Sequence, residues 1–454
     1  MKQYPAYPAY KTTGYDWFPE IPSHWRIDRA KWSVSSCQNG VWGAEPDGDD
    51  DLVCIRVADF DRQSLRVSTE KLTMRSIAEK DRRNRLLKAG DLLLEKSGGG
   101  EQQLVGAVVE FNQPFPAVTS NFIARMVASD GMNSRFLVYL HSHLYSGRVN
   151  FRSIKQTTGI QNLDSQAYLD EPITYPPLDE QQAIARFLDF KTAQIDALIA
   201  KKKSLLDKLA EKRTALISHA VTKGLDPLVP MKDSGVTWLG QIPSHWTALP
   251  LRRLIQTVKT GTTPAGVNEF HFSDSGVSWL RPGDFSDQIF IESAEKRLSD
   301  EGVAEVRVFP AFAVMHVGIG ATIGKVGVTT EPSSCNQQIN AIVCNERMHH
   351  LFAAYFLQAI REYIVKCGKY TTLPIINQDE TKALCFTVPP VDEQIKISEY
   401  LLREEKLMEQ QAKKIAQVIA RLQEYRATLI TNAVTGKIDV RGFEISQPAE
   451  WIAS

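Results

Sequence analysis

Apolar side chains recur at alternating spacings of four and three residues in two long stretches of the chain, which is the period of a coiled-coil helix. The first stretch runs from Ile184 to Leu216, and the second runs from Ile397 to Leu429. The positions are Ile184, Leu188, Lys191, Ile195, Leu198, Lys202, Leu205, Leu209, Lys212 and Leu216, and then Ile397, Leu401, Glu404, Met408, Gln411, Ile415, Val418, Leu422, Tyr425 and Leu429. The pattern predicts two long helices, and its polar members predict seams that are partly open to another subunit.

A different pattern precedes each of these stretches. Short runs rich in β-branched and aromatic residues, such as 122–127 and 339–343, are separated by Gly, Pro, Ser and Asp, as is typical of strands joined by turns. Helical patches at 134–146 and 348–365 lie among them. Each segment therefore predicts a compact α+β domain. A Pro-Pro pair ends the domain, and the Asp that follows, Asp179 or Asp392, is the predicted helix N-cap.

The chain is a tandem duplication. The pattern G-x-x-W…I-P-S-H-W at 14–25 returns at 235–246, P-P-(L/V)-D-E-Q at 176–181 returns at 389–394, and A-V-T at 220–222 returns at 433–435. Weaker matches pair Asp59-Phe60 with Asp284-Phe285, Asn121 with Asn336, and Thr157-Thr158 and Asn162 with Thr371-Thr372 and Asn377. The two halves share a frame, and their contents differ.

This repeat predicts the organisation of the chain. We expect a first α+β domain at 1–178, a central spacer helix at 179–224, a second α+β domain at 225–391, a C-terminal spacer helix at 392–437 and a tail at 438–454. Each helix begins where one domain ends, so burying the second seam on the first requires antiparallel helices. The predicted fold is two tandem α+β domains in a pseudo-twofold arrangement, joined by two antiparallel coiled-coil helices of roughly 60 Å at about 1.5 Å per residue.

Composition narrows the class of protein. The composition, with 43% hydrophobic and 23% charged residues, is typical of a globular protein. A chain of 454 residues is longer than a single hydrophobic core usually accommodates, so we expect at least two domains. The Cys residues form no C-x-x-C pair and no leader-like apolar run opens the sequence, which predicts reduced thiols in the cytoplasm and no membrane association. Lys and Arg number 53, as do Asp and Glu. A net charge of zero argues against a protein that binds nucleic acid without a partner, because such domains are usually basic. Basic stretches nevertheless occur at 82–88, 201–203 and 252–253.

The repeated G-x-x-W…I-P-x-H-W opening, the P-P-(L/V)-D-E-Q start of each long helix and the closing A-V-T resemble the specificity (S) subunit of type I restriction-modification systems, over residues 14–440. The resemblance implies a non-catalytic reader of double-stranded DNA that binds two methyltransferase (M) subunits and, in the full enzyme, restriction (R) subunits. It implies that each domain reads half of a split asymmetric target. It further implies that the helices set the gap and dock the M subunits, and that S-adenosylmethionine, ATP and Mg are cofactors of the partners, with none in this chain.

Motifs that could indicate catalysis all lie in the wrong context. The Pro-Pro pairs lack the Asp or Asn of an adenine methyltransferase loop, and the glycines at 318–324 precede strand-like residues, which predicts a hairpin. The nuclease-like Glu404-Glu405-Lys406 lies inside a predicted helix. His24 and His245 have no partners at metal spacing, so we expect capping or backbone contacts for them and packing roles for Trp25 and Trp246. We predict no catalytic and no metal site.

Base-reading residues are expected in polar, glycine-containing loops of the two domains, because such side chains reach base edges and glycine allows close approach. The candidates in the first domain are Lys96, Ser97, Gly98, Gln102, Gln103, Asn121, Thr157, Thr158, Gln161 and Asn162. Those in the second domain are Lys259, Thr260, Thr262, Thr322, Lys325, Asn336, Gln337, Gln338, Tyr370, Thr371, Thr372 and Asn377. Ordinary polar turns would use the same residue types. The alternative function is a non-catalytic protein-binding scaffold with duplicated domains on a coiled-coil spacer, which the neutral charge favours.

Overall fold

The computed structural model describes residues 4–49, 51–99, 103–157, 160–266, 268–367, 369–370 and 374–444. The chain divides into two compact units. The first comprises Met1–Lys203 with Ala416–Ser454, and the second comprises Ser204–Ile415. Each of the two longest helices therefore contributes one part to each unit.

The first unit contains short strands, three short or medium helices and parts of the two long helices. Its strands are β1 (Tyr10–Thr12), β2 (Glu20–Pro22), β3 (Arg26–Arg29), β4 (Val34–Asn39), β5 (Asp51–Ile55), β6 (Phe60–Asp61), β7 (Arg66–Val67), β8 (Met74–Ser76), β9 (Leu92–Glu95), β10 (Ser97–Gly98), β11 (Val108–Glu110), β12 (Ala117–Thr119), β13 (Ile123–Ala128), β14 (Ile154–Thr157), β15 (Ile160–Leu163) and β16 (Pro172–Tyr175). Its helices are α1 (Glu79–Arg82), α2 (Ser134–Ser146), α3 (Ser165–Leu169), the start of α4 (Leu178–Lys223) and the end, from residue 416, of the last long helix of the chain.

A six-stranded sheet in the order β4-β13-β9-β11-β7-β6 forms the centre of the first unit. Its residues alternate between two cores: Leu92 and Leu94 pack with α2, whereas Leu93 packs with Phe60 and Phe111 on the opposite face. Smaller sheets, β12-β5-β8 and β10-β15-β14, lie beside it. Burial on both faces explains why β9 is apolar at consecutive positions.

The second unit repeats this plan with different side chains. Its strands are β17 (Met231–Asp233), β18 (Gln241–Pro243), β19 (Thr247–Pro250), β20 (Ile255–Thr260), β21 (Phe272–Ser273), β22 (Val277–Leu280), β23 (Phe290–Ile291), β24 (Lys296–Leu298), β25 (Val314–Val317), β26 (Val326–Thr329), β27 (Ser333–Cys335), β28 (Ile339–Cys344), β29 (Lys369–Tyr370), β30 (Pro374–Ile375) and β31 (Cys385–Val388). Its helices are the end of α4, from residue 204, then α5 (Asp300–Ala304), α6 (His350–Ala359), α7 (Arg361–Cys367), α8 (Gln378–Ala383) and the start of α9 (Val391–Val434).

The sheet orders of the two units correspond. The order β20-β28-β25-β26-β23 matches β4-β13-β9-β11-β7, including the parallel pairing of the last two strands. The parallel pair β22-β27 likewise matches β5-β12. The predicted duplication of an α+β domain is therefore confirmed, as is the predicted hairpin of β25 and β26 around the glycines at 318–324.

The structure sorts the weaker sequence matches between the halves. Asp59 and Asp284 are equivalent, since each carboxylate accepts from a backbone N–H three residues earlier, at 2.7 Å in both cases. The match of Asn121 with Asn336 is wrong by one residue, because Ser120 and Asn336 make the same backbone contacts before β13 and β28. Asn377 does not correspond to Asn162. It caps α8 as Asp164 caps α3.

Both long helices form, and within each unit they run antiparallel. In the first unit Thr174 Oγ1, just before α4, donates to the carbonyl of Val434 at the end of α9 (3.1 Å). Further along, Arg426 Nε lies 3.0 Å from Asp196 Oδ1. In the second unit Thr387 Oγ1 donates to the carbonyl of Val221 (2.6 Å), which is the reciprocal contact. Asp179 and Asp392 lie in the first turn of these helices rather than at the N-cap.

The seam of the helices differs from the predicted one in its middle. Ile184, Leu188 and Ile195 are buried as expected, but Leu198 is 48% exposed whereas its neighbour Ile199 is 2% exposed. The same one-residue shift occurs in α9, where Val418 is exposed and Ile419 is half-buried against the core. Adjacent apolar residues such as Leu198-Ile199 fit two registers equally well, so spacing alone could not choose between them.

The repeated sequence markers meet at one joint in each unit. In the first unit Glu180 Oε1 accepts from His24 Nε2 (2.6 Å) and Glu180 Oε2 accepts from Trp25 Nε1 (2.9 Å). In the second unit Glu393 bonds His245 (2.8 Å). The predicted capping or backbone contacts of the two histidines were therefore wrong, because each side chain binds a carboxylate of the long helix. Trp25 and Trp246 are fully buried, as packing anchors should be.

The glutamine that follows this carboxylate fixes the helix to the domain. Gln181 Nε2 donates to the carbonyl of Pro176 (2.9 Å), and its Oε1 accepts from the backbone N–H of Asn133 at the start of α2 (2.8 Å). Gln394 makes the same pair of contacts with Pro389 and His349. The P-P-x-D-E-Q string is thus a connector that orients each domain on its helix.

Candidate nucleic-acid interface

A polar cleft of about 670 Å³ opens in the first unit where β4 ends. Its walls come from four separate segments: the end of β4, the residue after β9, the start of α3 and the turn after α1. The lining residues are Cys37, Gln38, Asn39, Arg85, Lys96, Leu163, Asp164, Ser165, Gln166 and Leu169.

Hydrogen bonds hold the polar wall of this cleft in place. Lys96 Nζ donates to Asn39 Oδ1 (2.7 Å), and Arg85 Nε donates to the backbone carbonyl of Asn39 (3.1 Å). Asp164 caps α3, and the hydrogen bond from Lys155 holds the pKa of its carboxyl below the usual value. The cleft therefore combines two cations with an ionised carboxylate and amide groups, which can donate to and accept from base edges.

The structure brings together several of the residues predicted in the first domain. Ser97 Oγ donates to Asn162 Oδ1 (2.6 Å), and the pairing of β10 with β15 places Gly98 opposite Gln161. Asn121 and Gln103 are exposed. Gln161 is only 4% exposed and accepts from the backbone N–H of Val105, which argues against direct contact with a base. Gln102 and Thr158 lie outside the described residues, as does the side chain of Thr157.

The second unit has a cleft of about 400 Å³ at the equivalent place, where β20 ends. The lining residues are Thr260, Ile319, Gln337, Gln338, Asn340, Ile375, Ile376, Asn377, Gln378 and Asp379. Gln378 Nε2 donates to Thr260 Oγ1 (2.8 Å), and that hydroxyl donates to Asn340 Oδ1 (2.9 Å). These contacts join neutral amides and hydroxyls, whereas the corresponding contacts of the first cleft involve the cations Lys96 and Arg85. The carboxylate of Asp379 also lines the second cleft.

The predicted residues of the second domain divide into two sets. Thr260, Gln337, Gln338 and Asn377 line the cleft, and Asn336 donates to Gln338 Oε1 beside it (3.0 Å). The others do not line it: Lys259 is exposed on β20, Thr262 accepts from the Arg307 backbone N–H, and Thr322 and Lys325 lie in the β25–β26 turn. The Lys325 ammonium donates to the carbonyl of Phe285, which commits it to the fold. Thr371, Thr372 and the side chain of Tyr370 lie outside the described residues.

Sequence reasoning missed residues that line both clefts, including Asn39, Arg85 and Gln378. A sequence signal for them is the glycine that directly follows β4 and β20, namely Gly40 and Gly261. A Cβ on Gly40 would lie 2.1 Å from the carbonyl oxygen of Thr119, and one on Gly261 would lie 2.1 Å from that of Cys335. This repeated close approach marks the strand end at which each cleft opens.

The described residues also bear on metal sites and on helices that could span a membrane. They hold no cluster of three His, Cys, Asp or Glu side chains that could bind a metal ion. Across the same ranges, every helix is too short or too polar to cross a bilayer.

The sequence profile of the type I restriction modification DNA specificity domain matches residues 68–208 and 253–419 of this chain. The putative type I restriction enzyme MjaX specificity subunit of Methanocaldococcus jannaschii is 20% identical over 432 residues, covering 93% of this chain and 95% of that protein. The type I restriction enzyme EcoBI specificity subunit of Escherichia coli is 22% identical over 361 residues, covering 74% of each chain.

A solved structure has the same fold. A chain from a study of complex assembly and conformational transition of the type I R-M system superposes with a TM-score of 0.70, covering 92% of this chain and 99% of that chain. The identity is 13%, so this likeness concerns the fold alone.

Proposed function

This chain belongs to the type I restriction-modification DNA specificity family, and we propose that its two clefts each hold one half of a bipartite DNA target. Specificity subunits are the non-catalytic recognition component of such systems, so the chain is not an enzyme in its own right. The sequence-specific recognition of DNA is its function.

The observation that carries this proposal is the recurrence of a polar cleft at one topological position in both units. The position recurs, but the lining side chains differ. Lys96 and Asp164 line the first cleft, whereas Ile319 and Asn377 line the second. A repeated frame with different donors and acceptors is what an asymmetric target requires, because each half-target presents its own pattern of groups in the major groove.

We further propose that the long helices set the unread gap between the half-targets and dock two methyltransferase subunits. Helix α4 has 46 residues, roughly 70 Å at about 1.5 Å per residue, which is comparable to two turns of B-form DNA. Exposed apolar side chains on the helices, Leu198, Leu205, Leu407 and Val418, offer contact area to such partners. In this proposal, restriction subunits complete the assembly. The assembled enzyme acts on DNA in the cytoplasm.

The chemistry in this proposal comes from the partners. S-adenosylmethionine, ATP and Mg bind to the methyltransferase and restriction subunits, and this chain contributes no cofactor site. Its zero net charge fits this division, since the partners then supply much of the grip on the phosphates.

The test is binding of duplexes by this chain assembled with its methyltransferase partner. Sequencing methylated adenines in DNA from cells carrying the system first identifies the target. We expect binding of the split duplex that weakens steeply with salt, and discrimination by both half-targets. Replacing Asn39 by Ala should degrade recognition of one half-target and Gln378→Ala that of the other. An assembled complex that binds no duplex specifically would refute the proposal.

A further inference from the structure

Arg85 and Arg307 occupy equivalent places in the two units. Two residues after each arginine, a backbone N–H donates to the first residue of one of two matching strands, β12 and β27. Leu87 donates to the carbonyl of Ala117, and Phe309 donates to the carbonyl of Ser333, both at 2.8 Å. The sequences around the two arginines differ almost throughout, so the correspondence emerges from the fold.

Both guanidinium groups make the same contact at the cleft. Arg85 Nε donates to the backbone carbonyl of Asn39 (3.1 Å), and Arg307 Nη1 donates to that of Thr260 (3.2 Å). Asn39 and Thr260 are the last residues of β4 and β20 and line the two clefts. Arg85 also donates to the carbonyl of Asp81 (2.9 Å). Because a guanidinium has five N–H donors, several remain for a ligand in each case.

Neither arginine has a carboxylate partner among the described residues. Other arginines of the same domains do: Arg125 lies 2.7 Å from Asp91, and Arg297 lies 3.2 Å from Glu331. Arg85 is half-buried and Arg307 is exposed. The fold therefore keeps one uncompensated, partly anchored positive charge at the same edge of each cleft.

We propose that Arg85 and Arg307 each bind a phosphate of the DNA backbone and so fix the register of a half-target without reading its bases. The inference rests on the proposed function and deepens it. The side chains that differ between the clefts suit what differs between half-targets, namely the bases. The charge that recurs suits what every half-target shares, namely the phosphate, for which the guanidinium fork provides bidentate hydrogen bonds.

The experiment uses the assembled complex with its methyltransferase partner and the variants Arg85→Gln and Arg307→Gln. Glutamine retains an N–H donor for the carbonyl of residue 39 or 260 but removes the charge. Dissociation constants are measured across a salt series for the cognate duplex and for duplexes with single changes in each half-target. Arg297→Gln is the matched control, since Arg297 is committed to Glu331 and to the carbonyl of Gly276.

We expect each variant to weaken binding of all duplexes by a similar factor, roughly 5- to 30-fold, and to lower the slope of log K against log salt by about 1. The lysine variants Arg85→Lys and Arg307→Lys should retain the salt slope. The preferred bases should stay the same, and Arg297→Gln should bind like the unmodified complex.

Two results would overturn this inference while leaving the proposed function intact. If the unmodified complex shows salt-dependent specific binding but the glutamine variants keep its salt slope, the arginines bind no phosphate. If Arg85→Gln changes the preferred bases of one half-target, the arginine reads bases. Failure of the unmodified complex to bind any split duplex would instead count against the proposed function. Urea unfolding of each variant identifies a loss of DNA binding that comes from misfolding. If a glutamine variant misfolds, the lysine variant, which keeps the charge and N–H donors, tests the inference through its salt slope.

Discussion

Trp25 donates its indole N–H to Glu180 Oε2 at 2.9 Å, and this buried contact ties the opening motif of the first unit to the first turn of α4. The hydroxyl of Tyr7 donates to the same oxygen (3.1 Å). In the second unit the equivalent Trp246 Nε1 has no hydrogen-bond partner in the described part of the chain. The two joints share a frame but differ in how completely their buried polar groups are satisfied.

This difference predicts unequal effects of matched substitutions. Glu180→Ala leaves the Trp25 N–H and the Tyr7 hydroxyl without a buried acceptor, so we expect the free energy of unfolding to fall by about 2–4 kcal/mol. Glu393→Ala removes a contact with the more exposed His245 and should cost about 1 kcal/mol or less. Urea unfolding of the two variants measures both changes. Equal losses would contradict the assignment of the first joint as the stronger one.

The seam register predicts a second contrast, between two adjacent residues of α4. Ile199→Ala removes a side chain that is 2% exposed and should cost about 2–4 kcal/mol, as core truncations do. Leu198→Ala removes one that is 48% exposed and should cost well under about 1 kcal/mol. Thermal unfolding of the pair decides the register. If Leu198→Ala were the more destabilising of the two, Leu198 would be the buried seam residue, as the apolar spacing alone predicts.

This pair also shows where sequence reasoning succeeds and where it stops. The long helices were predictable because a coiled-coil period is a local property that the chain carries in its own spacing. Their exact seam was not, because Leu198 and Ile199 are both apolar and only packing selects one of them. The repeated E-Q of the helix starts was visible, but its partners, His24 and Asn133, lie far away in sequence.

The clefts show the same limit. Lys96 and Asn377 were predicted because polar loops with glycine are locally recognisable. Gln161 and Lys325 have the same local appearance, yet the fold uses them internally, on Val105 and Phe285. Arg85 was visible only as part of a basic stretch. Its place at the cleft follows from contacts of the folded chain, between Leu87 and Ala117 and between Arg85 and Asn39, which lie far apart in sequence.

Buried histidine predicts a pH dependence of stability. Burial lowers the pKa of His316 to about 4, and its ring nitrogens have no partner in the described chain. In the unfolded chain imidazole titrates near about 6.5. Between these pH values the unfolded state binds more protons, so the free energy of unfolding falls as pH drops from about 6.5 towards about 4.

His316→Leu should flatten this dependence, because it removes one buried proton-binding group. The first unit already has Leu94 at the equivalent strand position, so the substitution fits a core of this kind. Urea unfolding at several pH values between 4 and 7 measures the slope for each protein. His141, whose pKa burial also lowers to about 4, should maintain a residual slope. An unchanged slope in His316→Leu would show that this histidine does not contribute.

The duplicated frame predicts modular recognition. Replacing residues 26–175 by the corresponding segment of another family member exchanges the first cleft and retains the joint formed by His24, Trp25 and Glu180. We expect one half of the methylated sequence to change while the other half and the gap are kept. Sequencing of methylated adenines reads all three at once. A change in both halves together would show that the two clefts do not act independently.

The proposed role of the helices predicts what a change in their length does. A matched deletion of residues 198–204 in α4 and 411–417 in α9 removes one heptad from each helix and leaves the buried positions in phase. At about 1.5 Å per residue the deletion shortens the helices by roughly 10 Å, or about three base pairs of B-form rise.

Two outcomes of this deletion agree with a helical spacer: a methylated target with a shorter gap and unchanged half-targets, or loss of binding because the new spacing puts the two grooves out of angular phase. A matched deletion of three residues is the control. It rotates the seam so that the buried Ile199 and the half-buried Ile419 lose their core contacts. It should therefore destabilise the protein by several kcal/mol, since apolar side chains become exposed. Methylation sequencing, together with unfolding of each variant, separates the cases. An active heptad-deleted variant with an unchanged gap and altered half-target bases would show that the helices carry sequence readout and that the clefts do not.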